Sequence, residues 1–586
     1  MKGSHSLAHR ILPLVLVFML LATALASACA SSPREAEPST SQEAPAPPSG
    51  AVTAPSPAPS PTPPPTAESA IKRHVTLPWL EGSDTIGLAV GGAKGIDNFR
   101  ENIRNGYLPL PTDITYEGLF YDYYFDTGQT KPCNKLFCPS YSYAVTRDPF
   151  SNKTEYYLSV GLNSGMEERD FERKKLNLVI VLDISGSMSS PFNEYYYDQF
   201  GNEVRLGWLE RHKQKMEVAK DAVIAVLDQL NNGDRFGIVL FNERAHLLQR
   251  MSLVRRTDMD EVADSIFEIR ANGSTNLADG MKLATELLEK YSDFDPYDYE
   301  NRIIFLTDAM PNTGETGEYS LLSLLKNNSN DNIYTTFVGI GVDFNTQLIE
   351  SITKTRGANY YSVHSPGDFM ERMGDEFDYM VTPLVFDLRL TLEARDWDIE
   401  MVYGSPEADR ATGELMKVNT LFPSKKEDGE TKGGLILLKL RNRGDDSGSI
   451  RLNVSYEDRA GREDGSTAKV YLDDERPEYF ENSGIRKGIL LARYADLMKD
   501  WLIDEREHAH WSRPWEPMVN PECGIVVPPS PLGTWERQSL PLMASRQYSI
   551  LFEDFSDYLA YEMDEIGDTT LDQELDILDS LIGYRD

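Results

Sequence analysis

Three short stretches of this chain collect oxygen-bearing side chains at spacings suited to holding a hard cation. The first is Asp183-Ile184-Ser185-Gly186-Ser187, in which Gly186 permits a tight turn. The second is Gly273-Ser274-Thr275-Asn276 and the third is Thr307-Asp308. Hydroxyl and carboxylate oxygens with no nitrogen or sulfur favour Mg²⁺ or Mn²⁺ over zinc. A lone Asp-x-Ser-x-Ser arises easily in serine-rich turns, so the weight falls on the elements that must position all three.

Those elements are legible. Leu176 to Leu182 is apolar and β-branched, as a central strand buried on both faces should be. Lys213 to Leu230 follows with Met216, Val218, Ala219, Ala222, Val223, Val226, Leu227 and Leu230 at helical spacing. Phe236 to Phe241 and Arg302 to Leu306 read as further strands, and Leu277 to Lys290 as a helix. Beyond them the pattern predicts a strand over Ile333 to Ile340, a helix over Gln347 to Thr355, an edge strand over Ala358 to Tyr361 and a closing helix over Pro366 to Tyr379. Strands alternating with helices over 173–380 predict an α/β fold, a doubly wound and mostly parallel sheet with flanking helices. Ligands of such sheets bind just past the carboxyl ends of the strands, where the oxygen-rich loops lie.

This order of Asp-x-Ser-x-Ser, then Thr, then Asp resembles the von Willebrand factor type A family. The likeness is to surface lipoproteins of bacteria and, in layout, to inter-alpha-trypsin inhibitor heavy chains. The resemblance implies a metal-ion-dependent adhesion site for one Mg²⁺ (or Mn²⁺). Ser185 and Ser187 would bind the ion through their hydroxyls, Thr275 would join when a ligand is bound, and Asp183 and Asp308 would act largely through waters. Mostly neutral direct ligands leave the ion electrophilic, with a position open to an acidic residue of a protein ligand. The family usually has Gly after the third-loop Asp; this chain has Ala309, which disfavours positive φ.

Between the first loop and its helix the chain inserts Ser189 to His212, where family members pass in a few residues. The insertion carries Glu194, Tyr195, Tyr196, Tyr197, Asp198, Phe200 and Trp208. Tyr195, Tyr196, Tyr197 and Trp208 are of the types that dominate protein-binding hot spots, and they are the candidate ligand-binding residues. The insertion equally fits a loop packed over the domain edge, or an internal plug bringing Glu194 or Asp198 to the ion.

The remainder concerns delivery. Lys2 and Arg10 precede an apolar run from Ile11 to Leu25, then Ala26-Ser27-Ala28, the parts of a secretory signal over 1–28. The end of this run resembles a bacterial lipobox, which makes Cys29 the lipidated new N-terminus; Ala26-Ser27-Ala28 also fits an ordinary A-x-A cleavage site. A Pro/Ala/Ser-rich tether completes 29–70 and, at ~3 Å per residue, reaches up to about 100 Å. The chain is thus expected in the cell envelope, lipid-anchored and facing outward, touching the membrane only through that anchor. A formal charge of −35 repels phosphate backbones, so nucleic acid is not an expected partner.

Around the central domain, 71–172 is expected as an N-terminal segment, 381–480 as a β-sandwich-like domain and 481–586 as a helical and Pro-rich C-terminal region. Asn98 to Pro109, Tyr116 and the aromatic cluster Tyr121 to Phe125 resemble the segment that precedes the A domain in the bacterial lipoproteins; the cluster reads as core. Gly488 to Asp504 has the stripe of an amphipathic helix, expected to pack on the β domain. Cys133-x4-Cys138 fits a small disulfide loop, which leaves Cys523 without an account. The eight histidines include no H-E-x-x-H, no P-loop lysine follows the glycines, and the G-x-S-x-G elbow is absent, so catalysis is not expected. The function expected is extracellular, metal-dependent protein binding of the adhesion type. The alternative is an envelope assembly or scaffold protein whose metal site is structural or internally occupied.

Overall fold

A computed structural model describes residues 85–191, 214–308, 315–341, 354–363, 367, 371–512, 519–525 and 540–584. Within those ranges 292–293, 295–297, 395, 407–414, 445–448, 472–476 and 521–523 are not described. Cys29, the signal and tether, Tyr195, Tyr196, Tyr197, Trp208, Ala309, Cys523 and most of the expected helix Gln347 to Thr355 therefore lie outside the described residues.

The central element is a seven-stranded sheet. Its strands are β1 (Ala93–Lys94), β2 (Lys175–Asp183), β3 (Arg235–Phe241), β4 (Ala245–Leu253), β5 (Tyr299–Thr307), β6 (Ile333–Ile340) and β7 (Asn359–Val363). They lie in the order β1-β7-β6-β5-β2-β3-β4. All neighbours run parallel except β4, which turns back antiparallel on β3. In register, Ile180 of β2 faces Ile304 on one side and Ile238 on the other. Alternation along β2 then feeds two cores. Leu176, Leu178, Ile180 and Leu182 pack with Met216, Val218, Ala222 and Val226 of α1 (Lys215–Asp228). Val179 and Val181 pack on the other face, with Leu277, Met281, Ala284 and Leu288 of α3 (Leu277–Leu288) and Leu321 and Leu325 of α4 (Glu315–Asn330). Each such buried aliphatic contributes on the order of 1.5–3 kcal/mol, so a sheet covered on both sides holds its strand ends rigidly. A further helix, α2 (Met259–Phe267), bridges β4 and the second loop. The expected edge strand β7 is not an edge, because β1 pairs with its outer side. Of the closing helix, the described part is a π turn over Glu371–Asp375 and a short α-helix over Phe377–Val381.

The flanks of this domain are not two separate regions, which corrects the division into 71–172 and 381–480. Strands from both share both sheets of one antiparallel sandwich. One sheet orders Glu463–Tyr471, Ser449–Asp458, Val385–Glu393, Leu415–Ser424, Thr85–Val90 and Asn163–Glu167. The other orders Trp397–Tyr403, Leu435–Asn442, Thr154–Gly161, Ser140–Arg147 and Tyr479–Phe480. Ile86, Leu88, Leu388 and Leu390 from the first meet Leu158, Val160, Ile436 and Leu438 from the second in one core. Neither flank alone could satisfy its strands' backbone groups. Apart from β1, the mostly parallel α/β domain is thus inserted between Glu167 and Val385 of a sandwich. Cys133 and Cys138 are disulfide-bonded, with Cα atoms 6.1 Å apart.

Three C-terminal helices, α5 (Ser483–Ser512), α6 (Arg546–Ile566) and α7 (Asp572–Ile582), cover the outside of the second sheet. Tyr494, Trp501, Phe552 and Phe555 join Ala144, Tyr157 and Leu437 there, together with Tyr123 and Phe125 of the aromatic cluster, which is core. Among the described residues no helix is long and apolar enough to cross a membrane.

Candidate metal centre

Asp183 is the last residue of β2, and Thr307 the last of β5, beside it in the sheet. Their adjacency delivers the first contact of the site: Thr307 Oγ1 donates to Asp183 Oδ2 at 2.6 Å. The other oxygen, Asp183 Oδ1, accepts the backbone N–H of Ser185 at 2.8 Å, closing the turn that brings the serines round. Ser185 Oγ lies 3.1 Å from Ser187 Oγ, and Ser187 Oγ donates to Asp308 Oδ1 at 3.0 Å. Two strand ends and one turn therefore gather two carboxylates and three hydroxyls in a continuous cluster.

The second loop is tied to the first by backbone. Gly186 N–H donates to Gly273 O at 2.9 Å, and Asn272 N–H to Ile184 O at 2.8 Å. Gly273 adopts φ +83°, a left-handed conformation that suits glycine, and the Glu243 carboxylate packs where a Cβ would project. Asn276 then caps α3, its side chain accepting from Asp279 N–H at 3.3 Å. Thr275 lies between the bound loop and the cap and is fully buried, as are Ser185 and Asp308. All five expected ligands, Asp183, Ser185, Ser187, Thr275 and Asp308, lie on these three loops past the carboxyl ends of the strands.

Electrostatically the cluster is short of positive charge. Burial, and then the nearby Asp308 carboxylate, push Asp183 up to about 7, against the hydrogen bonds from Thr307 and Ser185. Asp308 Oδ2 is buried and accepts no hydrogen bond; a cation that it faces is Lys215 Nζ, 3.5 Å away. Among the described residues no three His, Cys, Asp or Glu side chains converge, and the acidic side chains joined in the cluster there are this pair of aspartates. A buried all-oxygen cluster with an unbonded carboxylate oxygen fits a hard divalent cation and not zinc.

The sequence reading missed two participants. In sequence Thr307 is simply the residue before Asp308, and Lys215 one residue of a helix. The insertion could be placed at its base: Pro191 and Gln214 form an antiparallel bridge, and Lys215 N–H donates to Ser190 O at 2.9 Å. Ser190 in turn donates through its N–H to Ser187 O at 3.0 Å. Pro191 and Gln214, the described residues on either side of it, are thus paired next to the serine turn.

Residues 178–311 match the model of the von Willebrand factor type A domain. Inter alpha-trypsin inhibitor heavy chain 4 of Mus musculus is 26% identical over 217 residues, 36% of this chain and 20% of that protein. Inter-alpha-trypsin inhibitor heavy chain H1 of Mesocricetus auratus is 24% identical over 314 residues, 53% of this chain and 29% of that protein. The chain thus spans less than a third of the length of these relatives. Among solved structures, a von Willebrand factor type A protein from Catenulispora acidiphila is 15% identical, covering 64% of this chain and 81% of its own at a TM-score of 0.39.

Proposed function

We propose, from the von Willebrand factor type A domain that residues 178–311 form, that this protein is a metal-dependent binder of other proteins and not an enzyme. The observation that carries the reading is the buried Asp183–Asp308 cluster with its unbonded Asp308 oxygen. A bound Mg²⁺ or Mn²⁺ would supply a coordination position for an acidic side chain of a partner protein. The chain's own residues preset that position. Asp183 orients the Ser185 turn through its N–H, Thr307 holds Asp183 in its rotamer, and Ser187 links the turn to Asp308. Asp183, Ser185, Ser187, Thr275 and Asp308 are the proposed metal residues, and Tyr195, Tyr196, Tyr197 and Trp208 the proposed ligand-binding ones.

Calorimetric titration of Mg²⁺ and Mn²⁺ into the full chain, beside a Ser185→Ala/Ser187→Ala variant, tests this. One-site binding that vanishes in the variant is expected; no binding to the wild type sinks the reading. The proposed setting is the cell envelope, anchored through a lipid on Cys29. A Cys29→Ala protein that still fractionates with membranes would refute that anchor. One contact, Lys215 Nζ on Asp308, favours the alternative of a scaffold with an internally filled site; on that reading neither cation binds.

A further inference from the structure

Lys215 sits where three effects oppose a positive charge. Its side chain is fully buried, and taking an ammonium out of water costs several kcal/mol unless it is paired. It is the first residue of α1, whose amino end already carries positive potential from the helix dipole. It also lies on the side of a site that fits a metal cation. Its own helix offers little compensation, because the Glu217 carboxylate turns back to cap Gln214 N–H at 3.3 Å. Among the carboxylates of the site it is Asp308 that Lys215 meets, Oδ2 lying 3.5 Å from its Nζ.

Lys220, little more than one turn along the same helix, shows the contrast. Its ammonium is held by neutral carbonyls, Phe267 O at 3.0 Å and Ile269 O at 2.5 Å, away from the cluster. A charge count completes the case. With both ionised, the Asp183 and Asp308 carboxylates carry two negative charges, which one divalent cation neutralises. An ammonium and a divalent cation together exceed them, and both draw on Asp308.

We infer that Lys215 is an affinity-setting residue of this site: its ammonium is a tethered competitor that a divalent cation must outbid for Asp308. The inference rests on the metal-binding reading above. One ammonium against two carboxylates offsets part of the site's negative charge and so weakens the affinity for free Mg²⁺. Charge at Lys215, and not its stem, is the operative feature, so removing the charge strengthens metal binding.

The test is calorimetry with MgCl₂ and MnCl₂ on four full-length proteins: wild type, Lys215→Met, Lys215→Gln and Lys220→Met. Near-ultraviolet circular dichroism verifies folding, and the second Lys215 variant serves if the first does not fold. The expected result is Mg²⁺ affinity at least about tenfold tighter in both Lys215 variants, with a larger metal-induced rise in Tm. Lys220→Met should bind as wild type does. Unchanged or weaker binding in the folded Lys215 variants overturns the inference and leaves the metal site standing. A tightening shared by Lys220→Met overturns it as well, since the effect would not be local. Absence of binding in all four overturns both the inference and the metal-binding reading.

Discussion

The Thr307 hydroxyl and the Ser185 N–H hold opposite oxygens of one buried carboxylate, at 2.6 and 2.8 Å. Thr307→Val keeps the shape of the side chain and deletes a donor, leaving Asp183 Oδ2 underpaired in a dry site. The loss should be about 1–3 kcal/mol in chemical denaturation, with weaker Mg²⁺ binding by calorimetry. An unchanged unfolding midpoint would show that Thr307 is not what seats Asp183. At this scale the ligand set was legible, because hydroxyls and carboxylates clustered after apolar strands have few other uses. Lys215 was not. It follows His212 and Lys213 at the start of a helix, where basic side chains are ordinarily solvated, and nothing local distinguishes the one that turns inward.

Elements show the same division between local and non-local information. β2 and β5 contain the apolar runs Leu178 to Leu182 and Ile303 to Leu306, and a run buried on both faces is readable without knowing its neighbours. β4 escaped because it is half exposed and its sequence Ala245–Leu253 alternates poorly. β1 escaped because two residues carry no period. Where the inserted domain closes onto the sandwich, Glu376 gathers Arg372 at 2.8 Å, Lys432 at 3.2 Å and Lys425 at 3.6 Å. Burial alone would raise the Glu376 carboxyl, but the Arg372 and Lys432 charges outweigh it and bring it down from 4.5 to about 2. The folded value lies below the unfolded one, so the contribution is complete above about pH 4.5 and is lost as pH falls towards 2. That contribution is roughly 3 kcal/mol. Urea unfolding at pH 6 and pH 3 should therefore show a smaller drop for Glu376→Gln than for wild type. Equal drops would place the acid sensitivity elsewhere.

Across the whole molecule, pairing partners were the part that periodicity could not carry. Thr85–Val90 and Leu415–Ser424 each read as strands, yet nothing in either names the other as its neighbour. Long-range closure is also chemical. Arg100, near the start of the described chain, is buried against Glu574 and against Asp122 at 2.8 Å, and Tyr123 donates to Glu574 at 2.7 Å. Glu574→Ala strands a buried guanidinium with one of its partners gone, a loss of about 3–5 kcal/mol. The expected signature is earlier proteolytic release of α6 and α7 at unchanged Mg²⁺ affinity. Resistance equal to wild type would mean that apolar packing alone holds the C-terminal helices.

The insertion of one domain inside another also sets a clock. Gly87 pairs with Ser424, and a ribosome adding about 5–20 residues per second takes roughly 20–70 s to travel between them. Within that interval, once Asn163–Glu167 has been made, Thr85–Val90 has that strand on one side and an open edge on the other. An open edge strand invites pairing with other chains. Slow elongation between these positions should therefore cost soluble yield, and chaperone capacity matters most before residue 424 is made.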